Sequence, residues 1–200
     1  MNLKNIIKKA NKSDMDDVVL MLSEQEASQL KFANSKIVKT GVEFVENLFI
    51  FVAKDKKLAV TSIKDLSESS VDKTIKNITK FVKNLKPNKN YMGLASGKFK
   101  YNDIKDSYDN KIVSLGDKAV DIVEDSINIA HSNGAKRTAG ILETYNSKIT
   151  ISTSNDIEAS DKSTEAYFSF RSLISKEASG HKVICSRTLK DFNYKLAAEK

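Results

Sequence analysis

Apolar residues in the first third of the chain recur first at helical and then at strand spacing. Leu3, Ile6, Ile7 and Ala10 lie three or four residues apart and predict an amphipathic helix. Alternating or continuous apolar runs then predict strands at 18–22, 30–32, 37–41, 48–53 and 58–60, with turns at Asn34-Ser35 and Asp55–Lys57. The run 48–53 is apolar on both faces, which predicts a central strand buried on two sides.

A second helix is predicted over residues 67–86. Ser67 is suited to cap its first turn, and Pro87 ends it. Its apolar stripe is formed by Val71, Ile75, Ile78, Val82 and Leu85. Residues 88–115 have no clear period, and we expect an irregular crossover there.

The last third of the chain repeats this order. A helix that opens at Gly116-Asp117 and closes at Asn133-Gly134 carries the stripe Val120, Val123, Ile127 and Ala130. Strands are predicted at 138–143, 149–151, 157–159, 167–174 and 181–186. Asp191 is placed to cap one more helix, of which residues 191–200 form only the start, with Phe192 and Leu196 on its apolar side.

The two β-rich blocks, residues 1–62 and 117–186, therefore share one order of elements at an offset of about 120 residues. We predict an α+β fold over residues 1–190: one domain with a mixed sheet made of two similar helix–strand–hairpin halves, and helices on one face. Residues 191–200 would lead to a C-terminal domain absent from this chain. The alternative is that similar hairpins recur by chance.

Composition narrows the class of protein. Of 200 residues, 40% are hydrophobic and 30% charged, which is typical of a globular chain. No apolar stretch is long enough to span a membrane, and the N-terminus does not resemble a signal peptide. The single cysteine suits a reducing compartment, so we expect a cytoplasmic protein.

The net charge of +7 raises the possibility of an anionic partner, nucleic acid first. However, only Arg137, Arg171 and Arg187 among the 33 basic residues are arginine, the residue that reads base edges in paired hydrogen bonds. The lysines are scattered and mixed with acidic residues. A solvated surface is the favoured interpretation, and a basic nucleic-acid or polyanion-binding module is the alternative.

Residues with catalytic or metal-binding chemistry are few. His131 and His181 lie 50 residues apart without metal-ligand spacing, and we expect both to be structural. Cys185 shares a strand face with Val183 and is expected to be a small buried apolar residue. The adjacent carboxylates Asp16-Asp17 and Glu124-Asp125 are typical of caps or solvated helix faces. The sequence therefore assigns no catalytic, cofactor-binding or metal-binding residue.

Several short segments resemble the N-terminal domain of the TldD/PmbA family, the modulator-of-gyrase or microcin-processing proteases. They are, in chain order, residues 30–37, residues 58–67, Tyr91–Ala95 and Asp106–Asp109, and the last two resemble the PmbA (TldE) branch. Two segments depart from the family pattern. Ala59 or its neighbour replaces a usual glycine, and residues 153–156 replace an Asn-Ser-x-Gly turn.

The resemblance implies a non-catalytic domain of a metallopeptidase system. Family members are about twice as long, and the TldD branch holds zinc through a histidine–glutamate helix motif and a cysteine in its C-terminal half. No His-Glu pair occurs in this sequence, so the resemblance implies no cofactor here and zinc only in a TldD-type partner. It further implies a homodimer or a TldD-like subunit as partner, and peptides as the substrate of the assembly. A purely structural interaction domain is a third possibility.

We also expect self-association of the isolated chain. A sheet edge at Val183–Cys185 and the apolar side of the last helix, at Phe192 and Leu196, are the expected contacts. A partner domain that normally covers these surfaces would leave them exposed when it is missing.

Overall fold

The computed structural model describes residues 1–199, and Lys200, the last residue of the predicted final helix, lies outside them. The helices are α1 (Leu3–Asn11), α2 (Glu68–Val82), α3 (Asn110–Val113), α4 (Lys118–Ser132) and α5 (Lys195–Ala198). The strands are β1 (Asp17–Ala33), β2 (Lys36–Lys54), β3 (Lys57–Ile63), β4 (Arg137–Thr153), β5 (Glu158–Leu173) and β6 (Ser179–Ser186).

The predicted α+β class and the repeat of elements are confirmed. With α3 set aside, the order helix–strand–strand–strand–helix occurs twice, and the six strands form one sheet in the order β3-β2-β1-β4-β5-β6. The sheet is antiparallel where the sequence led us to expect a mixed one. Two-residue turns with positive φ, at Asn34-Ser35 and Asp55-Lys56, force β2 and β3 to run back beside the preceding strand.

Four strands are longer than the sequence predicted. The pairs of short strands expected in each block merge into β1, β2, β4 and β5, of 16–19 residues each. The intervening residues, such as 23–29, are polar on both faces and so lack the apolar signal of a strand. Pairing with neighbours on both sides keeps these residues extended, because it satisfies their backbone groups.

The chain divides into two compact units. Unit 1 comprises Met1–Glu24, Val45–Asn102 and Lys148–Asp161. Its core is formed by the apolar sides of α1 and α2 and by every second residue of the strands, among them Val18, Leu20, Ile50 and Val52. All four predicted α1 positions are buried. In the run 48–53 the even-numbered residues and Ala53 are buried, whereas Phe49 and Phe51 are half-buried, so the expected burial on two sides holds only in part.

The predicted start of α2 is confirmed in detail. Ser67 caps the helix by accepting a hydrogen bond from the Ser70 amide at 3.4 Å. The helix ends at Val82, four residues before the predicted end. Leu85 still packs against the unit 1 core as a half-buried residue.

Unit 2 comprises Gln25–Phe44, Asp103–Ser147 and Lys162–Lys200. Four phenylalanines dominate its core: Phe32, Phe168, Phe170 and Phe192. Phe32 and Phe170 pack with ring centroids 5.4 Å apart. This packing needs Gly140, because a Cβ there would collide with the Ser169 carbonyl oxygen and with the Phe32 ring.

Two predictions about irregular segments change. The crossover 88–115 contains the short helix α3. Asp109 caps this helix, because its carboxylate accepts a hydrogen bond from the Lys111 amide at 2.9 Å. The last helix starts at Lys195 rather than after Asp191, because Asp191 binds the Thr188 hydroxyl at 2.9 Å instead of capping a helix. Phe192 is only 5% exposed, so the expectation that it forms an exposed apolar stub is wrong.

Candidate functional site

A polar groove of about 330 Å³ lies on unit 2. Its lining comes from β1, β4, β5 and the residue that follows β6: Gln25, Glu143, Tyr145, Ser147, Ser163, Thr164, Glu165, Tyr167 and Arg187. We call it the unit 2 groove. Its residues are neighbours in the sheet although they come from four separate parts of the sequence.

Strand alternation explains why polar side chains gather here. On β5, Ala166, Phe168 and Phe170 are fully buried in the core, so the side chains of Glu165 and Tyr167 point to the opposite face. On β4 the buried Leu142 separates the two faces in the same way, which leaves Glu143 and the next two odd-numbered residues on the open side. The groove therefore occupies the sheet face opposite the aromatic core.

Two glutamine amides fix the positions of groove residues. The Gln29 side-chain amide donates to the Glu143 carboxylate at 2.7 Å, and the Gln25 amide donates to the Ser147 hydroxyl at 3.0 Å. Both pairs are partly buried, so they order the groove wall more firmly than pairs in open water would.

The unit 2 groove carries two carboxylates without an ionic partner. In the part of the chain that the structure describes, no salt bridge joins Glu143 or Glu165 to a lysine or arginine. Arg187 is the one basic residue in the lining, which leaves a net charge of −1, and no lysine lines the groove. A chain of net charge +7 thus keeps a locally acidic groove.

The titration of Tyr145 reflects this environment. Burial and the nearby carboxylates of Glu143 and Glu165 raise the pKa of Tyr145 to about 12. The Tyr145 phenol is therefore neutral and can donate a hydrogen bond well above physiological pH.

Unit 1 has a groove of similar size with a different charge arrangement. It measures about 430 Å³ and is lined mainly by residues of α1 and α2, including Glu68 and Asp72, together with the exposed Glu46 of β2. Lys9 lies 2.8 Å from both of these carboxylates, and these contacts raise the pKa of its ammonium. In the unit 1 groove Lys9 therefore forms salt bridges with two carboxylates, whereas in the unit 2 groove of the described chain Arg187 forms none with Glu143 or Glu165.

The two histidines lie where they act as structural links. The His131 ring contacts the Ala135 carbonyl oxygen at 2.8 Å through Nδ1 and the Ser35 hydroxyl at 3.0 Å through Nε2. The Nε2 of His181 contacts the Ser169 hydroxyl at 2.9 Å. Both ring nitrogens of His131 and one of His181 are therefore engaged within the chain.

The cysteine and the first carboxylate pair also lie apart from one another and have different contacts. Cys185 is exposed rather than buried, because it lies on the open face of β6, and partial desolvation with the Glu165 carboxylate raises the pKa of its thiol. Asp16 binds Lys54 at 3.1 Å and the Asp55 amide at 2.7 Å. Asp17 accepts from the Tyr91 hydroxyl at 2.8 Å. Asp16 thus braces the turn at Asp55, whereas Asp17 is a buried residue at the start of β1 and not the expected cap or solvated helix residue.

The remaining carboxylate pair has the same kind of role. Asp125 accepts a hydrogen bond from the Tyr194 hydroxyl at 2.9 Å and lies 3.4 Å from the Lys195 ammonium. It therefore ties α4 to the start of α5.

Sequence reasoning missed the groove residues Glu143, Tyr145 and Glu165. The signal was present as polar residues at every second position of segments 143–147 and 163–167. It went unused because these segments lie at or beyond the ends of the predicted short strands, so their alternation was not assigned to a sheet face.

Among residues 1–199, no helix combines the length and apolar character needed to cross a membrane. No group of three or more His, Cys, Asp or Glu side chains in this range is placed to hold a metal ion.

Comparison with family models and with curated proteins finds no match to this chain. Solved structures do match. TldE from Thermococcus kodakarensis superimposes with a TM-score of 0.81 at 14% identity, over 98% of this chain and 45% of that chain. This chain shares the fold of those proteins.

Two proposed modulators of DNA gyrase lead to the same conclusion. The protein from Thermotoga maritima matches with a TM-score of 0.81 at 15% identity, over 98% of this chain and 45% of its own. The protein from Bacteroides thetaiotaomicron matches at 0.78 and 15%, over 98% and 46%. The resemblance to the TldD/PmbA family is thus confirmed at the level of the fold. The chain spans less than half the length of the structures that it matches.

Proposed function

We propose that this chain is an N-terminal, non-catalytic domain of a TldD/PmbA-like metallopeptidase system that degrades unfolded or small peptides. The observation that carries the proposal is the shared fold with TldE, which extends over 98% of this chain. In this proposal the domain supplies part of the shell and the subunit contacts, and the peptide bond is cleaved elsewhere in the assembly.

The contacts of the histidines support a non-catalytic role. Both ring nitrogens of His131 form hydrogen bonds, one with Ala135 and one with Ser35 in the turn between β1 and β2. Replacement of His131 would therefore loosen this hairpin rather than remove a metal ligand. Zinc, where the assembly contains it, belongs to the TldD-type partner. The open unit 2 groove gives the domain a surface on which a peptide can be held without being cleaved.

Strand β6 is the edge best suited to a subunit contact. It is the last strand in the sheet order, so one side of its backbone has no neighbouring strand in the described chain. Val183 is 43% exposed on this strand, whereas Phe192 is buried and offers no contact. We propose that β6 pairs with a second copy or with a TldD-like subunit in the cytoplasm.

Mixing the chain with a TldD-type subunit from the same organism tests this function. Light scattering should detect a complex, and an unfolded peptide should be degraded only when the TldD-type subunit is present. As a control, His131→Ala and His181→Ala should leave the degradation rate unchanged. Degradation by the chain alone, or masses that never exceed those of the separate proteins, would contradict the proposal.

Polyanion binding is the alternative that the net charge of +7 suggests. Scattered lysines give an attraction that salt screens, so we expect duplex DNA to bind weakly and to be released above about 0.15 M salt. A sequence-selective complex that survives this salt concentration would favour the alternative.

A further inference from the structure

The unit 2 groove has the features of a site for a positively charged group. We propose that it binds the guanidinium or ammonium group of an arginine or lysine side chain in a peptide. This inference deepens the function proposed above, because it names the class of peptide that the domain would hold. It rests on the charges, the lining and the internal comparison with unit 1.

The first step is the unmet charge. Glu143 and Glu165 line the same groove, and neither has a salt bridge in the described chain. Both residues are only half-exposed, so water compensates them less well than it does a fully exposed carboxylate. A ligand cation would gain charge-assisted hydrogen bonds from these two side chains.

The second step is the comparison with the unit 1 groove. There, the cation that a pair of carboxylates attracts is Lys9 of the chain itself, 2.8 Å from Glu68 and from Asp72. The arrangement shows what a filled version of such a groove looks like in this protein. In the unit 2 groove Arg187 is the single basic residue of the lining, and in the described chain it forms no salt bridge with Glu143 or Glu165.

The third step concerns the kind of cation. Divalent metal ions prefer six or more oxygen ligands in a tight shell. The unit 2 groove instead combines two carboxylates with the rings of Tyr145 and Tyr167 over about 330 Å³. Tyrosine rings attract organic cations through their π faces, and guanidinium groups pair with carboxylates through two hydrogen bonds. The lining therefore fits a side-chain cation better than a metal ion.

Arg187 sets the orientation of the bound peptide. It is the single basic residue of the lining and opposes a cation, but it can donate hydrogen bonds to a peptide carbonyl oxygen. A peptide with a basic side chain can satisfy both the carboxylates and Arg187, whereas a free polyamine satisfies only the carboxylates. This difference separates the two sources of the same ligand chemistry.

Calorimetric titration of the purified chain tests the inference without a partner subunit. The probe is the peptide acetyl-Gly-Arg-Gly-amide at about 50 mM salt, where screening is weak. The neutral control is the same peptide with citrulline in place of arginine, and spermidine is the polyamine control. We expect the arginine peptide to bind at least about tenfold more tightly than the citrulline peptide and more tightly than spermidine.

Variants locate the binding. The double variant Glu143→Gln/Glu165→Gln should lose the arginine preference, because it keeps the side-chain shape and removes the charge. Glu68→Gln is the matched control in unit 1 and should bind as the unaltered chain does. Arg187→Gln should strengthen the binding of spermidine, since it removes the opposing charge.

Three results would overturn the inference. These are equal affinities for the arginine and citrulline peptides, unchanged binding by the double variant with its thermal unfolding midpoint preserved, and tighter binding of spermidine than of the peptide. Complex formation with a TldD-type subunit is measured in a separate experiment. Failure of the peptide titration therefore leaves the proposed domain function standing, and failure to form the complex leaves the peptide-binding inference standing.

Discussion

The two units take most of their elements from different sequence blocks, and different side chains fill their cores. The unit 1 core consists of aliphatic side chains and Met15, whereas four phenylalanines dominate the unit 2 core. The grooves of the two units also differ, in whether their carboxylates form salt bridges. Glu68 and Asp72 in unit 1 are held by Lys9, whereas Glu143 and Glu165 in unit 2 have no salt bridge in the described chain.

The repeat therefore preserves the order of helices and strands, but it does not preserve the charged side chains that line the grooves. The salt bridges of Lys9 and the close aliphatic packing favour a structural role for unit 1. The two carboxylates without a salt bridge in the described chain favour a binding role for unit 2. Element order alone would have assigned both halves the same role. The variants below therefore probe each side of the contrast.

Removal of one core phenylalanine should give the largest effect. Phe168 is fully buried and contacts Phe32, Phe170 and Phe192 at centroid distances of 5.5–6.4 Å. We expect Phe168→Ala to lower the free energy of unfolding by about 3–5 kcal/mol, because it leaves a cavity. Chemical denaturation measures this change, with Phe44→Ala as the control, since Phe44 is 73% exposed. Similar losses in both variants would contradict an aromatic core in unit 2.

A methyl group at Gly140 should give the second-largest effect. The added Cβ would meet the Ser169 carbonyl oxygen and the Phe32 ring, so β4, β5 or the ring must shift. We expect Gly140→Ala to cost about 1–3 kcal/mol of unfolding free energy. Gly41→Ala is the matched control, because nothing lies within 4 Å of a Cβ at that strand position. The thermal unfolding midpoint of the Gly140→Ala variant should lie below that of the Gly41→Ala variant. Equal midpoints would show that no atom approaches Gly140 closely.

A built-in cation should convert the unit 2 groove to the arrangement of unit 1. Ser147→Lys places an ammonium group in the lining. We expect it to weaken binding of the arginine peptide by about tenfold, because the lysine occupies the carboxylates. Ser147→Gln, which has a similar reach and no charge, should weaken binding less. Equal losses in calorimetry would attribute the effect to size and break the charge contrast between the grooves.

The titration of Tyr145 should give a small but specific effect. Its folded-state pKa of about 12 lies above the usual value near 10, so the stabilising contribution is present below pH 10 and is lost as the pH rises through 12. At about pH 11, Glu143→Gln should increase tyrosinate absorbance, because one of the charges that raises this pKa is gone. Glu43→Gln, on the exposed part of β2, serves as the control. An unchanged absorbance in the Glu143 variant would show that burial alone sets this pKa.

The sequence predicted the scaffold well where its apolar residues are periodic. The stripe of α1, the Ser67 cap of α2 and the Asn133-Gly134 end of α4 follow from local residue chemistry, and the structure has all three. Strand lengths were underestimated, since residues 23–29 are held extended by neighbouring strands rather than by their own pattern.

The groove could not be predicted from the sequence for a different reason. Glu143 and Glu165 meet only because β4 and β5 are neighbours and their core residues face the other way. Sequence motifs for catalytic and metal sites rely on histidine and cysteine. In this protein both ring nitrogens of His131 bind Ser35 and Ala135 instead. A site made of strand-alternating Glu and Tyr residues has no motif, and its recognition requires the register of the sheet.

Amide chemical shifts during titration with the arginine peptide test the central claim most directly. The account predicts perturbations at Glu143, Tyr145, Glu165 and Tyr167 that saturate together, and none at the unit 1 groove around Lys9. Perturbations centred on Lys9, or none in either unit at saturating peptide, would contradict the account.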